Sequence, residues 1–337
     1  MKTVIVGAGA IGGCIGTRLA GLGDVPVSAL ARGATLQALR TQGWRLRSAG
    51  ELLQAPVAAA SDEPAALGVA ELLVVAVKGQ SLGPLAPSLA PLVGPQTVIL
   101  PAMNGVPWWF GHGLPGDAAG MALETVDPGA AIARVLPPAQ VLGCVVHIAA
   151  ASAEPGLVQH RMGWGLIVGD PGDPGDPGDP GAGRSARLDR VLGLLQRAGF
   201  DATAAPSIHH PLWYKLWGNI TMNPVSALTG ATADRILDDP LVRAFCSAVM
   251  VEVAAIGAHI GCAIDQRPED RHAVTRKLGA FKTSMLQDLE AGRSLELDGI
   301  VSAVREIAGR VGLATPNLDA LFGLVRLMAQ GRGLYPG

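Results

Sequence analysis

Gly7-Ala8-Gly9-Ala10-Ile11-Gly12 stands between a β-branched run, Thr3-Val-Ile-Val6, and a stretch of helical composition from Gly13 to Leu22. In a chain with 45 glycines, such a G-x-G-x-x-G string means little alone. A strand before it and a helix after it are the context that gives it weight. Gly7 then allows the tight turn, Gly9 lets a pyrophosphate approach the backbone, and Gly12 permits close helix–strand packing. Ala8, Ala10 and Ile11 complete the loop, and the helix amino terminus favours the phosphate charge.

The pattern continues downstream. Val27 to Ala31, Leu72 to Val77 and Thr97 to Leu100 are short apolar runs, with helical composition between them, as at Ala34 to Thr41. Continuous rather than alternating apolarity predicts strands covered on both faces, hence a parallel sheet flanked by helices. Further strands are expected at Val141 to Ala149, Gly156 to His160, Trp164 to Val168 and Phe200 to Ala204, with a helix from Arg187 to Ala198. Residues 170 to 181 are four copies of Asp-Pro-Gly, all turn-favouring residues, and read as an exposed loop.

From Pro206 the texture changes to helical spacing. Helices are expected over Leu212 to Ala227, Leu241 to Ile260, Arg271 to Gln287, Leu297 to Val311 and Leu318 to Gln330. The expectation is an α/β, Rossmann-like dinucleotide-binding domain over 1–205 followed by an all-α domain over 206–337. A length of 337 residues suits two domains at ~150 residues each.

Composition removes several function classes. A formal net charge of -2 offers no basic footprint for nucleic acid, and 4% aromatics gives no stacking platform. The four cysteines, Cys14, Cys144, Cys246 and Cys262, form no C-x-x-C pair, and the seven histidines form no H-E-x-x-H. A metal site is therefore not expected. Mean hydropathy of +0.34 raises the question of a membrane. No uninterrupted apolar run approaches the ~20 residues of a spanning helix. Glycines at 7, 9, 12, 13 and 16 break up what would otherwise resemble a signal segment. The expected setting is cytoplasmic, with a small-molecule partner, no nucleic acid and no membrane. A homodimer is left open.

Polar residues fall where chemistry is expected. The end of the second strand reads Ser28-Ala-Leu-Ala-Arg32-Gly33, with arginine rather than a carboxylate to meet the adenosine ribose. That choice favours NADP(H) over NAD(H). Lys78 and Asn104 follow the next two strands, where open parallel sheets bind ligands. Asn104-Gly105 also suits a plain turn. Lys215, Asn219 and Asn223 recur every four residues and share one helix face. Burying them without partners is costly, so the stripe is expected to face a wet cleft. The plainer alternative is a snorkelling lysine beside two asparagines. A lysine so placed suits carbonyl reduction, supplying a proton and positive charge near the oxygen. His147, His160 and the His209-His210 pair are the histidine alternatives. Around Ser284 and Glu296 the pattern indicates a helix, a Gly292 break and a second helix with acidic residues at its start.

GAGAIG at 7–12, AR at 31–32, VK at 77–78, NG at 104–105, PGLVQH at 155–160, KLWGNITMNP at 215–224 and SMLQDLEAGRSLELD at 284–298 resemble, taken together, the ketopantoate reductase (2-dehydropantoate 2-reductase) family. The resemblance implies a second domain of the 6-phosphogluconate-dehydrogenase-like helical kind. It also implies NADPH-dependent reduction of ketopantoate to pantoate for pantothenate synthesis. By motif, Lys215 resembles the catalytic general acid, and Glu296 the glutamate near the nicotinamide end and the lysine. Asn104, Asn219, Asn223 and Ser284 resemble substrate-holding groups, and Arg32 and Lys78 resemble cofactor contacts. The chain departs from the pattern at Ala233-Asp234, where members of known function often carry another asparagine. Trp108-Trp109, just after Asn104, is placed to narrow or reshape the cleft. Two alternatives are a reductase of a different 2-oxo acid and a non-catalytic NADPH-binding sensor. The lysine stripe and Glu296 argue against the sensor.

Overall fold

The computed structural model describes residues 1–172 and 185–336. Most of the Asp-Pro-Gly tract therefore lies outside the described residues. The chain divides into two compact units, and the division is interleaved. One unit takes residues 1–104, 108–113 and 127–211; the other takes 105–107, 114–126 and 212–337.

The first unit begins β1 (Thr3–Val6), α1 (Ala10–Ala20), β2 (Val27–Leu30), α2 (Gly33–Gln42), β3 (Trp44–Ser48), β4 (Glu51–Ala55) and β5 (Ala60–Ser61). It continues through β6 (Leu72–Val75), α3 (Gly79–Leu85), β7 (Val98–Pro101), β8 (Gly143–Glu154), β9 (Leu157–Gly169), α4 (Ala186–Arg197) and β10 (Asp201–Ala204). Strands β5-β2-β1-β6-β7 form one sheet, all parallel. Every residue of β1, β2, β6 and β7 is buried, as continuous apolarity requires of a sheet covered on both faces. Counting only these strands, the order is the doubly wound 3-2-1-4-5, reversing between β1 and β6.

A second, mixed sheet was not expected. Its order is β10-β9-β3-β4, with β8 antiparallel to β9. The predicted strands at 156–160 and 164–168 are one strand, β9, passing through Gly163 at φ +76°. This sheet explains the glycines of α1 that the fingerprint does not use. A Cβ on Gly13 would lie 2.6 Å from Val158 of β9, and one on Gly16 would lie 2.6 Å from the Trp44 ring of β3. On its other side, a Cβ on Gly12 would meet Ile5 at 3.0 Å. The helix is glycine-rich because it lies between two sheets. Asp170, the first residue of the Asp-Pro-Gly tract, is buried and accepts hydrogen bonds from Ser185 Oγ (2.8 Å) and Arg187 Nε and NH2 (2.7 Å each).

The other unit is helical: α5 (His209–Thr229, from residue 212 onward), α6 (Ala233–Asp238), α7 (Pro240–His259), α8 (Pro268–Arg276), α9 (Ser284–Glu290), α10 (Ala303–Arg310) and α11 (Pro316–Gly331). The single helix expected over 271–287 is two. The chain leaves α8 through Gly279 at φ +62°, and Thr283 Oγ1 starts α9 by accepting from the Leu286 N–H. The helix expected from Leu297 opens with a π-turn, Asp298–Ser302. By length and mean hydropathy, 1.8 over an 18-residue window, α7 is apolar enough to cross a membrane. Two of its charged side chains are tied into the unit. Glu252 accepts the N–H groups of Asn317 and Leu318 at the start of α11, and Arg243 donates to the Leu237 carbonyl.

Candidate functional site

In the first unit the strand register sets the geometry. Leu30, Val6, Val75 and Pro101 are paired in sequence across β2, β1, β6 and β7, so these strands end level. Arg32, the glycine loop, Lys78 and Asn104 therefore follow one another along a single edge, with strand spacings of about 4.8 Å. Gly7 has φ +88°, and a Cβ there would lie 2.7 Å from Val77 Cγ1 and 2.8 Å from the Ala76 carbonyl oxygen. A Cβ on Gly12 would lie 2.0 Å from the Gly7 carbonyl oxygen. Gly9 is different, because nothing lies within 4 Å of the Cβ it lacks. It is also the N-cap of α1, with no side chain capping the helix and no acidic residue in the first turn. Exposed N–H groups facing open space suit an anion. Arg32 is exposed at the N-cap of α2, and Lys78 is half-buried at the N-cap of α3. Asp62 directly follows β5, which pairs with β2, so the sheet brings a carboxylate one strand over from Arg32. Local sequence around Arg32 gives no sign of it.

Two histidines take structural places. His160 stacks on Trp164 at 3.7 Å and bonds Ser48 Oγ and the Gly163 carbonyl. His209 is buried edge-on to Trp109 and Phe110, and burial lowers its pKa to about 4. Trp108 and Trp109 lie in the interior. Both indoles are buried in the packing of this unit: Trp108 donates to the Leu136 carbonyl, and Trp109 lies against Gly143. Bulky aromatic side chains found better burial there than at an open surface.

In the helical unit, α5 carries Lys215, Asn219 and Asn223 on one helix. Its rotation is fixed from the other side. Trp213 and Trp217 are fully buried, and their indole N–H groups donate to the α7 carbonyls of Val253 (3.3 Å) and Met250 (2.7 Å). Two residues are about 200° of helix rotation, so Lys215 and Asn219 point away from α7. Lys215 and Asn219 are half-buried, and Asn223 is buried. Ser284, exposed at the start of α9, is brought to the Asn223 end of the stripe. The neighbouring Thr283 hydroxyl bonds Ser226 Oγ at 2.6 Å, and Ser226 Oγ donates to the Asn223 carbonyl at 2.9 Å.

Glu296 is half-buried at the centre of a γ-turn, in which the Leu297 N–H donates to the Leu295 carbonyl at 3.0 Å. The π-turn that follows is held by Gly105 and Val106. Gly105, at φ +80°, packs so closely that a Cβ would lie 2.6 Å from the Gly299 carbonyl group. The Val106 N–H donates to the Gly299 carbonyl at 2.7 Å. Asn104 immediately precedes this segment in the chain. One group that sequence reasoning missed is Arg271. Its guanidinium lies over the Tyr214 ring, and a Cβ on Gly218, between Lys215 and Asn219, would lie 2.7 Å from Nε. That Nε is buried with no acceptor among the described residues.

Known proteins share this sequence pattern and fold. The model of the ketopantoate reductase PanE/ApbA family matches residues 3–172, and that of its C-terminal domain matches residues 207–329. A 2-dehydropantoate 2-reductase from Mesorhizobium japonicum is 41% identical over 99% of this chain and 100% of its own length. A protein crystallised as a candidate ketopantoate reductase from Ralstonia solanacearum MolK2 superposes with a TM-score of 0.91 at 52% identity, over 99% of both chains. The 2-dehydropantoate 2-reductase of Methylococcus capsulatus does so with 0.80 at 26% identity, over 98% of both chains.

Proposed function

The chain belongs to the ketopantoate reductase family, and on that premise we propose that it reduces 2-dehydropantoate to (R)-pantoate with NADPH. The observation that carries the reading is the orientation of α5. Its tryptophans are fixed to α7, which turns Lys215 and Asn219 to the opposite side.

When bound, the reduced nicotinamide supplies a hydride to the ketone carbon. The Gly7–Gly12 loop and the amino terminus of α1 would hold the pyrophosphate, Arg32 would meet the 2′-phosphate, and Lys78 and Asn104 would make further cofactor contacts. Lys215 holds a proton at Nζ for the ketone oxygen, and its charge favours the developing alkoxide. Asn104, Asn219 and Asn223 each offer amide donors and an acceptor to the substrate's hydroxyl and carboxylate, and Ser284 offers a hydroxyl. Glu296 serves the nicotinamide end and the lysine.

A second reading, reduction of a different 2-oxo acid, draws on positions 233–234. Ala233 is buried, and the Asp234 carboxylate is engaged by the Thr232 hydroxyl and the Arg235 N–H, so no amide is offered there. Oxidation of NADPH with a panel of 2-oxo acids is the test, with 2-dehydropantoate expected to react fastest. A different acid in first place moves the assignment to the second reading. A panel in which no acid oxidises bound NADPH supports the non-catalytic sensor.

A further inference from the structure

Glu296 occupies a part of the chain with little regular structure of its own. A single γ-turn bond, Leu297 N–H to the Leu295 carbonyl, and the π-turn at 298–302 are poor local restraints on a side chain that must be aimed. Gly105 and Val106 hold the π-turn at Gly299, and a further restraint, on both flanks of Glu296, comes from residues 334 and 335. The Leu295 N–H, one residue before Glu296, donates to the Leu334 carbonyl at 3.0 Å. The Tyr335 hydroxyl donates to Asp298 Oδ1, two residues after Glu296. Leu334 is itself fixed, because its N–H donates to the Ala329 carbonyl at the end of α11 (2.8 Å) and its side chain is buried. Two consecutive residues thus grip both flanks of the turn.

We propose that Leu334–Tyr335 is a clamp that holds Glu296 in its working position, making Tyr335 a positioning residue for the reduction. The proposal rests on the reading of Glu296 given above. Burial, and next the hydrogen bond to Asp298, push the Tyr335 hydroxyl up to about 12, so it remains a donor across the working range of pH. Tyr335 and Asp298 also line a pocket of about 420 Å³ with Thr125, Ser302, Arg305 and Glu306, so the clasp is reached by solvent from one side. An added hydroxyl–carboxylate bond there has to outcompete water, and the backbone bond at Leu334 supplies the second point of hold.

The test uses the full chain in three forms, Tyr335→Phe, Glu296→Gln and the double variant. Hydrogen exchange over residues 293–302 is expected to quicken roughly ten-fold in Tyr335→Phe, as for a lost hydrogen bond to a charged group, with little change elsewhere. Its kcat is expected to fall about 3- to 10-fold with KM for the 2-oxo acid nearly unchanged, the signature of a misaimed group. The double variant should be no slower than Glu296→Gln alone, because the clamp acts through that carboxylate. Unchanged exchange over 293–302 overturns the clamp. Faster exchange with strictly additive rate losses overturns its action through Glu296. A Glu296→Gln enzyme of full rate refutes the catalytic reading of Glu296, and with it the positioning role of Tyr335; exchange then reports only whether the clasp exists.

Discussion

The same substitution made three residues apart in the glycine loop should separate cofactor binding from folding. In Gly12→Ala the new methyl lies 2.0 Å from the Gly7 carbonyl oxygen, 3.0 Å from Ile5 Cγ2 and 3.1 Å from Ala76 Cβ. The first contact is with backbone, which cannot rotate away, so α1 must lift from β1. Overpacking of that kind costs about 1–3 kcal/mol, and more where the obstacle is backbone. At about 2–4 °C per kcal/mol for a unit of this size, the melting temperature should fall by roughly 5–10 °C. In Gly9→Ala the methyl meets nothing within 4 Å, and φ of -80° is ordinary for alanine. Only the small loss of an N-cap preference applies, so the melting temperature should move by about 2 °C or less. That methyl, however, enters the space a pyrophosphate needs, so the NADPH Kd should rise about ten-fold or more. Differential scanning fluorimetry and NADPH fluorescence titration read the two quantities on the same samples. A Gly9→Ala protein with unaltered NADPH affinity would refute the placement of the phosphates. A Gly12→Ala protein as stable as the parent would refute the close helix–strand contact.

Arg32→Ala should weaken NADPH by roughly 10- to 150-fold, the worth of a charge-assisted bond, and leave NADH nearly unchanged; equal losses for both would assign Arg32 a structural role. Lys215→Ala should lower kcat by about two to four orders of magnitude while NADPH still binds, and turnover at the parental rate would place the proton donor elsewhere. Because burial lowers the His209 pKa from 6.5 to about 4, the unfolded chain takes up a proton there before the folded chain does. That contribution to stability is complete above pH 6.5 and is lost as pH falls toward 4, about 3 kcal/mol in all. Urea unfolding at several pH values should show the acid loss reduced by that amount in His209→Leu, and parallel curves for the two proteins would exclude the effect.

What could be read from the sequence was whatever local pattern determines. Four buried strands and the helices between them declare themselves by continuous apolarity. The four-residue spacing of Lys215, Asn219 and Asn223 is enough to place them on one face, since a helix has only one pitch. Pairings between distant segments are a different matter. Trp44–Ser48 alternates apolar and polar residues over only five positions, and its partner in β9 lies more than a hundred residues away, at Leu157 to Gln159. The strand's hairpin with β4 across Ala49-Gly50 is local, but its place in a larger sheet depends on that distant partner. Gly13 and Gly16 likewise look like helix breakers, because the Val158 and Trp44 side chains that fill their place come from distant strands. The hold on Glu296 is hidden for the same reason, because Tyr335 stands 37 residues from Asp298 and in no motif. Asp62 reaches the neighbourhood of Arg32 only through the order of strands.

The interleaving of the two units has a consequence for how the chain is made. Residues 114–126 belong with the helices, and their apolar side chains Leu114, Ala118 and Leu123 are buried there. The N–H groups of Glu124 and Thr125 find their acceptor in the Glu306 carboxylate, 181 residues downstream of Thr125. At translation rates of about 5–20 residues per second, this segment is synthesised roughly 10–40 s before its partner. During that interval the nascent parallel sheet carries an apolar loop whose partners are not yet made. A polypeptide beginning at Leu212 has the converse defect, since Glu306 and the Gly299 carbonyl lack the backbone N–H groups of Glu124, Thr125 and Val106. The helical half is the last to be synthesised, yet it cannot be completed without residues that left the ribosome long before it.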